Sequence, residues 1–154
     1  MLLDPVNVEI LKALAANPRI ANAKLARVVG MSGPAVRERV QRLEESGLIR
    51  GVRLDLDPKL LGYPVAVMVR IRPMPGQLTK IIELAQNTAR VVECHRITGE
   101  DCFIMRLYLE SIDVLDSVLD EFLVYSQTTT SIIQSSPVPL RPLPLPRGSR
   151  RRRR

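Results

Sequence analysis

Apolar residues recur along this chain in two rhythms, and the change from one to the other divides it. In the first part Val6, Ile10, Leu11 and Leu14 return at helical spacing until Asn17-Pro18 interrupts them, which predicts a helix. Asp4-Pro5 supplies its start, a carboxylate N-cap followed by proline at the first helical position, where a missing N–H costs nothing. A second short helix is expected from an Asn22 cap, with Leu25, Ala26 and Val29 on one face and Gly30 at its end. Ser32 then caps a third helix with Pro34 in its first turn; Val36, Val40 and Leu43 form its buried stripe, and Gly47 terminates it. Ala26, Gly30 and Val36 have the spacing of a helix-turn-helix, whose two helices cross closely at a tight turn that favours glycine.

After Gly51 the period falls to two. Val52 to Leu56 alternates as a short strand, and Asp57-Pro58 with Gly62 reads as a linker. Tyr63 to Arg72 predicts a strand with Val65, Val67, Val69 and Ile71 on one face and Ala66, Met68, Arg70 and Arg72 on the other. A helix with Leu78, Ile81, Ile82 and Ala85 inward, strands over Val91 to Ile97 and Cys102 to Leu109, a helix carrying Val114, Leu115, Val118, Leu119 and Phe122, and a strand over Thr128 to Ser135 follow. That order, βαββαβ, is the split arrangement of a ferredoxin-like sandwich. The expected class is therefore α+β: a helix-turn-helix domain over 1–50, a linker strand over 51–62, a ferredoxin-like domain over 63–140 and a Pro/Arg-rich tail over 141–154.

The central hairpin admits a closer reading. A turn at Thr98-Gly99-Glu100-Asp101 sets Cys94 against Met105 and Val92 against Leu107 on the helix-packed face. The other face pairs Ile97 with Cys102, His95 with Ile104, Glu93 with Arg106 and Val91 with Tyr108. That second face is too apolar for open water, so a second copy of the sheet is expected to cover it. Cys94 and Cys102 point to opposite faces and are not expected to pair; free thiols fit a reducing cytoplasm.

Composition narrows the chemistry. The 154 residues have a formal charge of +7, but the tail from Arg147 supplies six arginines and no acid. Gly148-Ser149 followed by five arginines fits either an expression scar or a native disordered arm, and it carries no weight in the fold. Between Arg19 and Arg53 eight basic residues face three acidic ones, the footprint expected of phosphate contact. On the third helix Pro34, Arg37, Glu38, Gln41 and Glu45 lie opposite the apolar stripe with Arg42 beside them, while Arg39 flanks the stripe, where an internal ion pair competes with DNA. Ser32, Gly33, Pro34, Arg37, Glu38, Gln41 and Arg42 are the expected DNA-binding residues, with Arg37, Glu38 and Gln41 at base edges and Arg42 at phosphate.

Other classes receive little. No apolar run reaches membrane-spanning length, and the first residues lack a signal-peptide pattern, so neither membrane nor secreted character is expected. Two cysteines and the single His95 leave no zinc-spaced cluster, hence no expected metal, cofactor or catalytic residue; His95 reads as a packing or interface residue.

The stretch Ile10-Leu11, Leu14, Asn17-Pro18-Arg19-Ile20, Leu25-Ala26, Val29-Gly30-Met31-Ser32, then Val36-Arg37-Glu38-Arg39, Leu43-Glu44 and Gly47-Leu48-Ile49, resembles the DNA-binding half of the leucine-responsive and asparagine-synthesis regulators, the Lrp/AsnC family. Asp57-Pro58 with Leu61-Gly62 resembles that family's linker, and Ile97-Thr98-Gly99-Glu100-Asp101 with Phe103 the glycine-acid turn of its effector domain. The resemblance covers residues 2 to about 140. It implies a cytoplasmic transcription regulator of amino-acid metabolism that binds double-stranded DNA, dimerises through the ferredoxin-like domain, assembles to octamers and responds to amino acids held between dimers.

Glu100, Asp101 and Cys102 stand where the family turn commonly has an acid, an aromatic and a second acid, and Asn7 stands where it often has Asp. A small amino-acid effector is expected at Gly99, Glu100, Asp101 and Cys102 with help from Thr128 and Thr130, because a zwitterion needs an acid for its ammonium and N–H or hydroxyl donors for its carboxylate. Asp101 is the acid expected to take the ammonium, although Glu100 is as close in sequence. The competing class is a haem-precursor decarboxylase of similar fold; such a carboxylate-rich substrate calls for several converging His, Arg or Lys residues, and this chain has one histidine.

Overall fold

The computed structural model describes residues 2–146, and the arginine run from residue 147 lies outside them. Within that span the elements run α1 (Pro5–Ala16), α2 (Asn22–Val29), α3 (Gly33–Glu45), β1 (Val65–Pro73), α4 (Leu78–Asn87), β2 (Val91–Arg96), β3 (Phe103–Leu109), α5 (Val114–Leu123) and β4 (Ser126–Ile132). The chain divides into two compact units, one holding the residues up to Leu54 with the segment from Val138, the other Asp55–Pro137.

The helical unit is built by its caps. Asp4 accepts the Asn7 N–H at 2.8 Å and Pro5 opens α1 as the sequence predicts. The cap of α2 is a correction: Ala21 holds that position without a side-chain bond, and Asn22 is already helical. Gly30 ends α2 at φ 66, and the Met31 N–H reaches back to the Ala26 carbonyl at 3.0 Å. A residue with a Cβ is strained in that left-handed conformation, so glycine lets the chain reverse at once into the Ser32 cap of α3. Ile10, Leu25, Ala26, Val36 and Leu43 form the buried centre, with Val6, Leu14, Val29, Val40 and Ile49 packed around it.

The second unit is a four-stranded antiparallel sheet in the order β2-β3-β1-β4, the ferredoxin-like arrangement. Val67, Val69 and Ile71 of β1 pair with Leu107, Met105 and Phe103 of β3, and all six are buried, along with Ile81, Leu84 and Ala85 of α4 and Leu119 and Phe122 of α5. Full burial of each aliphatic or aromatic side chain contributes about 1.5–3 kcal/mol, so this layer between sheet and helices is where the unit's stability resides.

Several expectations need correction. Residues 52 to 56 form no strand: Val52, Leu54 and Leu56 are 70%, 74% and 56% exposed, and no neighbouring strand takes up their backbone groups. On α4 the buried position is Leu84, while Ile82 is 39% exposed, because Leu78, Ile81, Leu84 and Ala85 share the face turned to the sheet. The hairpin keeps the expected pairs Glu93 with Arg106, Cys94 with Met105 and His95 with Ile104, then shifts between Val91 and Glu93. This bulge makes Val91, not Val92, the partner of Leu107 and turns Val91 into the core, so the pairs Val92 with Leu107 and Val91 with Tyr108 are overturned. Cys94 lies on an edge strand and is exposed rather than packed in the core; it and Cys102 are both free thiols. The last strand starts two residues early, at Ser126, whose buried hydroxyl donates to the Phe122 carbonyl at 2.6 Å. Pro137 to Pro146 carries no helix or strand and is largely exposed, as expected of an extended arm.

Phe122 is 1% exposed at the centre of this layer. Phe122→Ala is therefore expected to lower unfolding free energy by about 3–5 kcal/mol in urea denaturation at fixed protomer concentration, and a loss under about 1 kcal/mol would contradict its central place.

Candidate functional site

The exposed face of α3 follows from a stripe that commits Val36 and Leu43 to the core and leaves the opposite positions to water. Ser32, Pro34, Arg37, Glu38, Gln41 and Arg42 are exposed there, and Gly33 is half-buried at the helix start. The Ser32 hydroxyl accepts the Ala35 N–H at 3.4 Å, which orders the first turn, and the positive end of the helix dipole adds to its attraction for phosphate. Arg42 forms an ion pair with Glu38, and the Gln41 amide donates to Glu45 at 2.7 Å. Arg37 has no ion pair among the described residues. The face thus carries one unpaired guanidinium and two i,i+4 pairs that hold their side chains in line, each worth only a few tenths of a kcal/mol at the surface. Arg19, Lys24, Arg27, Arg50 and Arg53 are all exposed on the same unit.

Arg39 behaves differently. Its Nη1 donates to Asp4 Oδ2 at 2.7 Å and to Asn7 Oδ1 at 2.9 Å, and Asn7 Nδ2 donates to the Leu2 carbonyl at 2.9 Å. Burial pushes the Asp4 carboxyl up, but the Asn7 N–H and the Arg39 guanidinium outweigh it and hold Asp4 below the ordinary carboxylate value. The internal ion pair is the outcome for Arg39; sequence reasoning read Asp4 only as a cap and did not find the partner 35 positions away.

In the sheet unit the Gly99 turn closes with the Ile97 N–H donating to the Cys102 carbonyl at 2.8 Å, and Gly99 takes φ +110, a conformation side-chain-bearing residues avoid. Its two acids meet two arginines of β1: Asp101 Oδ2 lies 3.7 Å from Arg70 Nε, and Glu100 pairs with Arg72. Cys102 packs against the core. Thr128 and Thr130 stand opposite Ile71 and Val69, hence on the helix-covered side, whereas Arg70 and Arg72 stand opposite Thr129 and Gln127 on the sheet back. The structure thus brings Gly99, Glu100, Asp101 and Cys102 together and adds Arg70 and Arg72, but does not bring Thr128 and Thr130 to the arginine face. The two arginines were legible as alternate polar positions of β1; nothing local showed that a turn some 28 residues on would supply their acids.

Elsewhere on the sheet back Glu93 is held below its ordinary value, chiefly by the hydrogen bond with His95 at 2.7 Å and then by Arg106. His95 is exposed; among the described residues no cluster of metal-ligating side chains occurs. No helix among them is long and apolar enough to cross a membrane.

Comparison with known proteins agrees with both halves in order. Residues 3–50 match the family described as winged helix-turn-helix DNA-binding, and residues 66–143 the Lrp/AsnC ligand-binding domain. The regulator LrpC of Bacillus subtilis is 30% identical over 135 residues, covering 88% of this chain and 94% of that protein. The regulatory protein AsnC of Escherichia coli is 32% identical over 149 residues, covering 89% and 93%. The solved structure of E. coli AsnC superposes with a TM-score of 0.84 at 30% identity over 93% of this chain and 99% of that one. These relatives are named as regulators, which does not favour the decarboxylase reading. With a DNA-binding helical half and a ligand-binding sheet half in this order, the chain is a DNA-binding transcription regulator and belongs to the Lrp/AsnC family.

Proposed function

We propose that this regulator acts on genes of amino-acid metabolism in the cytoplasm, reads its operator with α3, and is tuned by a small amino acid bound at the Gly99 turn. The observation that carries the effector reading is the doubled pairing of Arg70 with Asp101 and Arg72 with Glu100 beside a glycine in the left-handed region. An amino acid brings one charge of each sign, and it binds here by exchanging protein–protein for protein–ligand pairs: an acid takes the ammonium, a guanidinium the carboxylate, and the backbone at Gly99 and Cys102 approaches closely. Asp101, 29% exposed against 87% for Glu100, is the better-placed acid for the ammonium. Thr128 and Thr130 would reach such a ligand only from the other side of the sheet or from a second copy.

On DNA, Ser32, Gly33 and Pro34 lead the helix towards the phosphates, Arg37, Glu38 and Gln41 address base edges, and Arg42 addresses the backbone. The protein works as a homodimer through the back of the sheet, assembling further towards an octamer. Met68, Ile104 and Tyr108 on that face are only half-buried in one chain, an apolar surface that a second copy would cover.

Three outcomes test this. Arg37→Ala is expected to cost about 1–3 kcal/mol on operator DNA and relax base preference, whereas Arg42→Ala weakens all duplexes alike and flattens the salt dependence; equal losses on operator and random DNA for Arg37→Ala refute its readout role. Calorimetry with the twenty amino acids is expected to find a ligand whose binding is lost in Asp101→Ala and which changes promoter affinity by a coupling of about 1–3 kcal/mol, while binding that survives Asp101→Ala and Glu100→Ala moves the site away from the turn. Light scattering is expected to give a dimer or larger species that Ile104→Asp reduces towards the monomer; a wild-type monomer at micromolar concentration contradicts the sheet-back interface.

A further inference from the structure

Arg39 sits on the recognition helix, between Glu38 and the next pair of DNA-facing residues, yet its guanidinium turns away from them to α1. At about 100° per residue it stands roughly 60° from Val36, at the seam where α3 meets α1 rather than on the DNA face. There it meets a carboxylate with a second duty. Asp4 Oδ1 accepts the Asn7 N–H at 2.8 Å and so starts α1, while Asp4 Oδ2 accepts from Arg39 at 2.7 Å. Asn7, 7% exposed, bonds Arg39 through its oxygen and the Leu2 carbonyl through its nitrogen. One guanidinium thus joins the cap of α1, the first turn of α1 and the chain before it to the middle of α3.

Besides Arg39, the side chains by which α3 packs on the other helices are apolar, Val36, Val40 and Leu43. Apolar packing is non-directional, so it defines a small rotation of the helix less sharply than hydrogen bonds of fixed geometry do. A planar guanidinium bonded to two oxygens fixed on another helix has a strict orientation. Base readout demands such strictness, since a small rotation that breaks a bidentate pair of hydrogen bonds to a base forfeits its whole discrimination, while phosphate contacts through long side chains adapt.

We propose that Arg39, Asp4 and Asn7 form a positioning clamp that sets the rotation of the recognition helix, so that sequence discrimination depends on residues that do not touch DNA. The inference rests on reading α3 as the recognition helix. Asp4 then has a sign opposite to what simple electrostatics requires: an acid on a DNA-binding unit repels phosphate, yet its removal is expected to harm operator binding.

The test uses the full chain and an operator duplex selected by the wild-type protein from random sequence, against a random duplex of equal length, over a range of salt. Asp4→Ser keeps an N-cap oxygen and removes the counter-ion. Arg39→Met keeps much of the stem. Each is expected to lower the operator-to-random affinity ratio about tenfold with the salt slope unchanged, and the double variant is expected to be no worse than either alone. Asn7→Asp keeps an oxygen for Arg39 but loses the amide that donates to the Leu2 carbonyl, and is expected to keep the ratio near that of the parent. If instead Arg39→Met weakens both duplexes equally and lowers the salt slope by about 0.9, while Asp4→Ser and Asn7→Asp respectively strengthen and weaken both, Arg39 is a phosphate contact and the clamp is overturned. An unchanged ratio in Asp4→Ser and Arg39→Met overturns it as well. Arg37→Ala run alongside separates the two claims: a ratio untouched in Arg37→Ala removes the reading of α3 itself, whereas a ratio that falls in Arg37→Ala but not in Arg39→Met removes the clamp alone.

Discussion

The alternation along β1 is the constraint on which the sheet unit depends. This strand is paired on both sides, to β3 and to β4, so each of its residues has both a face and two neighbours decided at once. Val67, Val69 and Ile71 go inward and order the helix-covered layer; Arg70 and Arg72, in the intervening positions, are committed by the same alternation to the back of the sheet. A slip of one residue would bury two guanidinium groups and expose three aliphatic side chains, a penalty of many kcal/mol. The register that makes the core is therefore also what delivers charge to the Gly99 turn.

The helical unit is governed by endings more than by lengths. Its helices are short enough to be marginal alone, and they persist because the apolar stripe of each is closed by the other two. Gly30 and Ser32 compress the change of direction between α2 and α3 into three residues and so fix where α3 begins. Asp4 closes the arrangement from the far side of the sequence.

What the sequence shows and what it withholds divide along a physical line. Caps, breakers and periods act over three to seven residues, so α1, α3, the inward face of β1 and the βαββαβ order were legible, as was the exposed face with Arg37 and Gln41. The bulge at Val92 was not: one extra residue in β2 leaves the local alternation intact and shows only in the partner strand. The outward turn of Ile82 depended on where the sheet lies beneath α4, and the solitary run at Val52, Leu54 and Leu56 on whether anything pairs with it. The same holds at the two sites. Charged residues were visible as charges, but the partnership of Arg39 with Asp4, and of Arg70 and Arg72 with the turn acids, is made by tertiary structure across tens of residues. Thr128 and Thr130 pair with Ile71 and Val69, away from Arg70 and Arg72, and a threonine run, uniformly polar, carries no mark of which face is which.

The bulge has a consequence for the state of the protein in solution. A sheet of this order has two free edges, β2 and β4, and an uninterrupted edge is a template on which further chains add by backbone pairing until the material precipitates. The shift between Val91 and Glu93 breaks the spacing of donors and acceptors on β2, and the strand beyond it carries the charges of Glu93 and Arg96. That edge is closed to growth. Only β4 keeps a regular row, short and lined with hydroxyls, and the prolines that begin at Pro137 stop any extension of it. Side-by-side addition of sheets is thus discouraged at both edges, while the back of the sheet stays open.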